Sequence, residues 1–292
     1  MKIAYIILCH KNSEQVSLLV NKLNSANNDF YVHVDKKVES FDLPNLKNVY
    51  VLPKEKKVSV QWATKSMIIA TLNTIDFLLK SKKEYDYIFL ISGQDFPLKS
   101  NDEIVSFLNN NNDKNFIEVL SHNNPLYRRY SKRNAIFYPK WMLSRNFFTK
   151  LLKKLYIYIT GGYGYTFGVF KRKNTTGLNF EFGSQWWCLK YQCVKWIYEY
   201  IKSNKSILSF FDYALVPDEC IFQTVFMASP FKNTRQDNLT YLEWGKNNNN
   251  PKILTIEDYY TIKNSDKLLA RKFDINIDRK ILEKLQEGIE KN

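Results

Sequence analysis

Two adjacent carboxylates, Asp218 and Glu219, follow Pro217 and precede an apolar stretch that starts at Ile221. Proline favours the first turn of a helix, and acidic side chains there lie at the positive end of the helix dipole. The pattern therefore predicts a helix start, and a cap without chemistry is one interpretation of it. The other is catalytic, because a carboxylate beside a cleft can act as a general base.

Short apolar runs of strand length alternate with helical patterns in the first hundred residues. Strands are predicted at 3–8, 30–35, 49–52 and 87–91, and helices at 16–23 and 62–79. Continuous apolar strands that alternate with helices are typical of a mostly parallel sheet covered on both faces. The sequence therefore predicts an α/β fold, and further patterns predict a strand at 182–189 and helices at 193–201 and 281–289.

Polar residues stand at the carboxyl ends of the predicted strands, where ligands bind in open α/β sheets. The rule selects His33, Asp35, Ser92, Gln94 and Asp95. We interpret His33 as a packed core residue, because it lies inside its strand. Asp95 stands in a segment with turn chemistry, so a structural role is open beside a role in a ligand pocket.

The middle of the chain, about 121–182, loses the regular alternation and is rich in Tyr, Phe, Arg and Lys. It contains a basic run at 128–133 and a glycine-rich stretch at 161–165. Such side chains can bind sugar rings or bases. A basic surface that is only solvated is an equally good interpretation of the same composition. The asparagine run 247–250 predicts an exposed loop.

The composition is that of a folded and strongly basic protein. The 292 residues are 45% hydrophobic and carry a formal net charge of +14, which fits nucleic acid, an anionic membrane or a phosphate-bearing substrate as partner. Four cysteines without a C-x-x-C pair suggest neither a zinc site nor a disulfide framework, so we expect reduced thiols. The first apolar run lacks a cleavage site, so we interpret it as a buried strand.

Six motifs occur in a fixed order and together resemble the core-2/I-branching enzyme family of inverting glycosyltransferases. This family includes β-1,6-N-acetylglucosaminyltransferases and peptide O-xylosyltransferases, and the resemblance runs from about residue 3 to residue 283. The motifs are Ala4-Tyr5-Ile-Ile-Leu-Cys-His10, Val32-His33-Val34-Asp35-Lys36-Lys37, Ser92-Gly93-Gln94-Asp95-Phe96-Pro97-Leu98-Lys99, Gly183-Ser184-Gln185, Pro217-Asp218-Glu219 and Ala270-Arg271-Lys272-Phe273-Asp274.

The resemblance implies a GT-A-type, Rossmann-like nucleotide-sugar-binding sandwich that transfers a sugar from a UDP donor with inversion and without a metal. By the motif match, Glu219 is the catalytic base and Lys272 binds the UDP phosphates, with Arg271 beside it. Lys252 matches a second phosphate-binding position approximately, with lysine in place of arginine. The D-x-D metal motif of most GT-A enzymes is absent, and the nearest approach, Glu84-Tyr85-Asp86, precedes its strand.

The same resemblance suggests contacts for the rest of the donor and for the acceptor. It places the nucleoside at the ends of the first strands, near Cys9, His10 and Asp35. Gln94, Asp95 and Asp218 are expected to shape the donor pocket or to serve structural roles. The candidate acceptor contacts are Arg128, Arg129, Tyr241 and Trp244.

We expect one glycosyltransferase domain over residues 1–292, with a nucleotide-binding half at about 1–120 and an acceptor and catalytic half at about 121–292. The expected donor is UDP-GlcNAc and the expected acceptor a glycan or lipid-linked oligosaccharide, with no cofactor. The alternatives are a xylosyltransferase, a transferase of another UDP-sugar, and a non-catalytic binder of anionic polymers; no nucleic-acid module is recognisable. The absence of an anchor favours a bacterial cytoplasmic enzyme, with peripheral contact to the inner face of the membrane as an open hypothesis.

Overall fold

The structure is a computed structural model that describes residues 1–135, 137–138, 146–159, 172–245 and 251–290. Two predictions from the sequence lie outside these residues: the glycine-rich stretch 161–165 and the polar loop 247–250. None of the helices in the described part of the chain is both long and apolar enough to span a bilayer.

The central sheet of the described residues has seven strands in the order β3-β2-β1-β4-β7-β6-β8. The first four pair in parallel, β7 is antiparallel to both of its neighbours, and β6 and β8 are again parallel. The prediction of an α/β fold with a mostly parallel sheet is therefore confirmed. These strands are β1 Ile3–Cys9, β2 Asn28–Val34, β3 Val49–Val51, β4 Tyr87–Ser92, β6 Asn115–Ile117, β7 Trp187–Lys190 and β8 Arg235–Gln236.

Helices cover both faces of this sheet, and 3-10 turns connect several of them. The described helices are α1 Ser13–Leu23, α2 Ser66–Lys80, α3 Asn101–Asn110, α4 Pro125–Ala135, α5 Phe147–Ile159, α6 Tyr191–Ser203, α7 Lys205–Phe210, α8 Ile221–Met227, α9 Tyr259–Lys263 and α10 Lys280–Glu290.

The side chains of β1 alternate between two hydrophobic layers, because successive residues of a strand point to opposite faces. Tyr5 and its neighbours at odd positions pack with α1, α3 and α10, whereas Ile6 and those at even positions pack with α2, α6 and α8. The Tyr5 ring stacks between Phe30 and Phe89, with centroids 5.5 and 5.1 Å away. This two-sided burial explains why the strand reads as a continuous apolar run.

A three-stranded sheet, β5-β10-β9, brings the end of the chain back to the carboxyl end of β1. It consists of β5 Asp95–Pro97, β9 Thr240–Leu242 and β10 Leu269–Arg271. Just beyond β10, Asp274 accepts hydrogen bonds from Lys11 Nζ at 2.5 Å and from Asn12 Nδ2 at 2.8 Å. These contacts fix Arg271 and Lys272 beside the loop that follows β1.

Three segments differ from the sequence prediction. The helix expected from residue 62 begins at Ser66, because residues 61–66 form a turn in which Thr64 and Ser66 bond to the Gln61 carbonyl. The strand expected from residue 182 begins at Trp187. The middle region, predicted to be irregular, contains α4 and α5. Basic residues along α4 obscure its helical period in the sequence, since only Tyr130 and Asn134 of that helix are described as buried.

Candidate active site

A cleft of about 990 Å³ opens at the carboxyl ends of the parallel strands. The loops that follow β1, β2 and β4 form one wall, α4 and the turn before α8 form another, and the end of β10 closes the third side. Most of the residues that the sequence motifs singled out line this cleft: Cys9, His10, Asp35, Gln94, Arg129, Asp218, Glu219, Trp244, Arg271 and Lys272.

The predicted helix start at Pro217 is a 3-10 turn, Pro217–Glu219, which leads into α8 at Ile221. The residue before it, Val216, has a φ of 52°, and its N–H donates to the carbonyl of Ala63, whose φ is 63°. Left-handed backbone at a β-branched residue costs of the order of 1–3 kcal/mol and is often found at functional sites. Both strained residues lie in the cleft wall.

The Glu219 side chain is 26% exposed, so it is largely covered. Arg133, on the last turns of α4, donates from Nη1 to Glu219 Oε2 at 2.8 Å. Burial raises the pKa of Glu219, and the charge and hydrogen bond of Arg133 oppose that rise. The carboxylate is thus desolvated, and one cation partly offsets the effect of that burial on its pKa.

Asp218 is only 6% exposed, and its Oδ1 has no hydrogen-bond partner among the described residues. Burial, followed by the charge of Glu219, raises the pKa of Asp218 to about 7. The helix that begins at Ile221 has no side-chain cap, so the interpretation of Asp218 as a helix cap is wrong. Its buried oxygen lies instead in the cleft wall.

Glu118 is a third carboxylate of the cleft, which sequence reasoning missed because the short strand β6 before it was not predicted. Its Oε2 accepts from Ser184 N at 2.6 Å, and burial raises its pKa. Gly183, which precedes Ser184, packs closely against Glu118, because a Cβ atom at this position would lie 2.0 Å from the Glu118 carbonyl oxygen. The N–H of Gly183 donates to the Glu219 carbonyl at 3.1 Å. A glycine is required at this approach.

The Arg271 guanidinium is 11% exposed and lies over the Trp186 ring, with Cζ 4.3 Å from the ring centroid. Its Nε lies 3.6 Å from Asp95 Oδ1, and neither Nε nor Nη1 has a hydrogen-bond partner among the described residues. Burial lowers the pKa of Arg271, with Asp95 and Glu219 opposing the change. A buried guanidinium with unused donors is suited to an anion that enters the cleft.

Lys272 lies next to Arg271 and is half-buried. Burial lowers its pKa, and the charges of Arg271 and Lys11 lower it further. These cations repel one another in the cleft wall. A bound anion would relieve that repulsion, so this part of the cleft has the electrostatics of a phosphate site.

Lys252 does not line the cleft. Its Nζ contacts Glu243 Oε1 at 3.1 Å and Asp258 Oδ1 at 2.6 Å. The hydrogen bond to Asp258 is the main reason that its pKa is raised. Because two carboxylates already compensate its charge, the geometry favours Arg271 over Lys252 as the partner of Lys272.

The residues after β1 and β2 form the opposite end of the cleft. The Cys9 thiol is buried, which raises its pKa, and His10 is exposed to the cleft. Asp35 accepts from the backbone N–H groups of Lys37 and Val60, at 2.9 and 3.2 Å. Its carboxylate therefore shapes the loop around the cleft through both oxygens.

His33 and Asp95 make buried structural contacts. His33 is 1% exposed, and its Nε2 accepts from Val58 N at 3.0 Å. Asp95 is fully buried and accepts from both the backbone and the hydroxyl of Ser92 at 2.8 Å. Burial raises the pKa of Asp95, and Arg271 opposes it.

Gln94 connects the β4 end to the terminal segment. Its Nε2 donates to the Phe273 carbonyl at 3.2 Å, and its own carbonyl accepts from Phe273 N at 2.9 Å. Gln94 therefore lines the cleft and also holds the end of β4 against the segment that contains Phe273.

The four candidate acceptor contacts do not all meet in the cleft. Arg129 and Trp244 line it, and Trp244 is 40% exposed. Arg128 is not among the lining residues, and neither is Tyr241, whose hydroxyl donates to Glu243 at 3.4 Å. On a helix, Arg129 and Arg133 share one face four residues apart, which explains why Arg129 and not Arg128 accompanies Arg133.

Besides Glu118, sequence reasoning missed four residues of the wall that can contact a ligand: Trp62, Arg133, Gln185 and Trp186. Gln185 belongs to a recognised motif, and its Nε2 is buried without a hydrogen-bond partner in the part of the chain that the structure describes. Helical spacing from Arg129 was the only signal that could have selected Arg133.

The chain is similar in sequence to known proteins. The family model of the Core-2/I-Branching enzyme matches residues 3–267. A xylosyltransferase 2 from Rattus norvegicus is 24% identical over 309 aligned positions, which cover 97% of this chain and 33% of the relative. A xylosyltransferase from Drosophila pseudoobscura pseudoobscura is 25% identical over 82% of this chain and 26% of its own length.

A further relative carries a different sugar specificity in its name. The beta-1,3-galactosyl-O-glycosyl-glycoprotein beta-1,6-N-acetylglucosaminyltransferase 4 of Danio rerio is 34% identical over 122 residues, which cover 40% of this chain and 28% of the relative. The chain spans about a quarter to a third of the length of these curated relatives. Since the family model covers most of the chain, the chain belongs to the Core-2/I-branching enzyme family, a family of glycosyltransferases.

Proposed function

We propose that this protein is an inverting glycosyltransferase that moves a sugar from a UDP-sugar to a hydroxyl group of an acceptor glycan. The observation that carries the proposal is that one cleft holds both a desolvated carboxylate, Glu219, and a buried guanidinium with unused donors, Arg271. Sugar transfer from a nucleotide donor needs these two kinds of group, a base for the acceptor and a counter-charge for the leaving diphosphate.

In the proposed reaction the acceptor oxygen attacks the anomeric carbon, and the bond from that carbon to the diphosphate oxygen breaks. Glu219 accepts the proton of the attacking hydroxyl, and UDP leaves with its negative charge. A single displacement inverts the configuration and needs one carboxylate as base. Arg133 favours the ionised form of Glu219 before the proton arrives, since its guanidinium lies 2.8 Å from Oε2.

Arg271 and Lys272 are proposed to stabilise the diphosphate in place of a metal. Among the described residues, no group of three or more His, Cys, Asp and Glu side chains is arranged to hold a metal ion. Asp86, in the segment nearest to a D-x-D motif, accepts from Lys2 N at 2.7 Å, at the end of β4 that is remote from the cleft. Fixed cations need no cofactor, and they act most strongly where water is excluded.

The uridine is proposed to lie near His10 and Asp35, and the sugar between the diphosphate site and Glu219. GlcNAc is the donor sugar we favour, with xylose as the alternative, since the relatives carry both names. Trp186 and Trp244 supply aromatic faces on which a sugar ring can stack. Arg129 extends the acceptor side towards a glycan or a lipid-linked oligosaccharide.

The proposal is tested with a panel of UDP-sugars and with UDP release as the readout, with and without EDTA. Slow hydrolysis of the donor reports activity without a known acceptor. We expect turnover of one UDP-sugar to persist in EDTA, and that sugar identifies the donor. A strict requirement for Mn²⁺ would refute the role of the two cations, and binding to polyanions without any turnover would favour a non-catalytic binding protein.

A further inference from the structure

The helix α5, Phe147–Ile159, presents its apolar residues to solvent. Among them are Phe147, Phe148, Leu151, Leu152, Leu155 and Tyr158, with exposed fractions from 53% to 85%. No side chain of α5 is buried. The helix α6 has the same length of 13 residues but buries five side chains, including Val194 and Ile197. The length of α5 therefore does not explain why its apolar side chains are exposed.

The exposed residues share one face. With 3.6 residues per turn, positions from Phe147 to Leu152 define an arc of about 140° that contains the exposed apolar side chains. The opposite side carries Thr149, Lys153, Tyr156 and Ile157, which are half-buried. The more apolar side of α5 is thus the more exposed one, which is the reverse of a helix that packs on a protein core.

The charges on α5 are of one sign. Lys150 and Lys154 are exposed beside the apolar arc, Lys153 lies behind it, and the helix contains no acidic residue. The whole chain carries a formal net charge of +14. Lysines beside an outward apolar face complement a surface that is apolar below and anionic at its boundary, and the surface of an anionic bilayer has that structure.

We infer that α5 docks the protein on an anionic lipid membrane, with its exposed apolar side chains below the headgroups and with Lys150 and Lys154 among the headgroups. A 13-residue helix is about 20 Å long, too short to span a hydrocarbon core of about 30 Å, so α5 lies along the surface. The inference stands on exposure and charge alone and does not depend on the proposed reaction.

The test is co-sedimentation of the full chain with vesicles of pure phosphatidylcholine and with vesicles in which a third of the lipid is phosphatidylglycerol. We expect binding to the anionic vesicles at low salt, weaker binding at high salt, and little binding to phosphatidylcholine. Replacement of Phe148, Leu151 and Leu155 by serine removes the binding. Replacement of Lys150 and Lys154 by glutamine weakens it by roughly thirtyfold.

Matched variants distinguish vesicle binding through α5 from binding through other exposed apolar residues or through the overall positive charge. Tyr260→Ser with Ile277→Ser removes two apolar residues that are 70% and 59% exposed elsewhere. Lys195 and Lys205, each replaced by glutamine, remove two exposed charges outside α5. Both control variants should bind vesicles like the wild type, and all variants should keep UDP-sugar turnover in solution.

Two results would overturn the inference. One is equal vesicle binding by the α5 variants and their controls. The other is that the wild type does not bind vesicles, and that the mass in solution is that of a dimer for the wild type and that of a monomer for the serine variant. In that case α5 would be an interface between two copies of the chain. Loss of UDP-sugar turnover alone leaves the vesicle result unaffected, so failure of the proposed function and failure of this inference are distinguishable.

Discussion

Arg133 Nη1 lies 2.8 Å from Glu219 Oε2, and this contact is the only side-chain hydrogen bond of Glu219 among the described residues. Arg133 also stacks on Tyr130, with Cζ 4.1 Å from the ring centroid, so the guanidinium approaches the carboxylate from a fixed direction. The arrangement leaves Oε1 as the oxygen that would receive the proton of an acceptor hydroxyl. Arg133 is therefore a positioning residue in this account, and Glu219 the base.

Removal of Arg133 should change the pH dependence of turnover. Burial already raises the pKa of Glu219, and Arg133 opposes that effect, so Arg133→Ala should raise the pKa further. A base works only when ionised, so the acidic limb of kcat/KM should move to higher pH, by about 1–2 units. Arg133→Lys should restore part of the profile, and Arg128→Ala should leave it unchanged; an unshifted limb in Arg133→Ala would contradict the role of Arg133.

Arg271 and Lys252 should differ in their contributions to UDP binding. Arg271 has unused donors in the cleft, whereas Lys252 is engaged by Glu243 and Asp258. Arg271→Ala should weaken UDP binding by about thirtyfold, as expected for a lost charged hydrogen bond of about 2 kcal/mol, and Lys252→Ala by much less. Calorimetric titration of UDP measures both. Uridine, which lacks phosphates, should bind the Arg271 variant and the wild type with equal affinity. Weaker binding of uridine to the variant would indicate structural damage instead.

Asp218 should make stability depend on pH. Its pKa is about 7 in the folded protein against an ordinary value of 3.8, so folding favours its protonated form. The stabilisation is complete below pH 4 and is lost as the pH rises to about 7, with an upper limit of about 4 kcal/mol. Asp218→Asn should therefore raise the melting temperature more at pH 8 than at pH 5.

The control for Asp218 is Asp237→Asn, which removes the same charge from a side chain that is 69% exposed. Thermal unfolding of the three proteins at both pH values measures the difference. If Asp218→Asn and Asp237→Asn change the melting temperature equally at both pH values, Asp218 is not a buried acid with a raised pKa.

Gly183 should not tolerate alanine. A Cβ atom would lie 2.0 Å from the Glu118 carbonyl oxygen, which is backbone and cannot move aside alone. We expect Gly183→Ala to lower the free energy of unfolding by about 3 kcal/mol. Gly177 has a φ of 72° with no atom near the added Cβ, so Gly177→Ala should cost only about 1 kcal/mol of backbone strain. Denaturant unfolding measures both, and equal costs would show that the close approach is absent.

Much of the fold was predictable because the strands near the centre of the sheet are buried on both faces. The run from Ile3 to Leu8 is apolar without interruption and has the length of a strand, and every residue of β1 is buried. The segment from Phe182 to Trp186 was predicted as strand, but it follows an irregular path imposed by the contact of Gly183 with Glu118. Contacts between distant parts of the chain carry no local signal.

The site was predictable where a motif specifies both residue type and place, as for Glu219 and Arg271, which line one cleft. It was not predictable where a side chain reaches the cleft from an unrecognised element. Arg133 lies on α4, whose basic sequence masks its period, and Glu118 follows a strand of only three residues. The pairing of Lys252 with Glu243 and Asp258 likewise depends on the three-dimensional approach of the loops.

The most direct test of the account compares Glu219→Gln with the wild type in UDP release from the identified donor, with UDP affinity measured on the same samples. Asp218→Asn tests the neighbouring carboxylate, and Glu55→Gln serves as a surface control. The account predicts that Glu219→Gln lowers kcat by about a thousandfold while the Kd for UDP is unchanged. Full activity of Glu219→Gln, with loss of activity in Asp218→Asn, would contradict it and assign the base to Asp218.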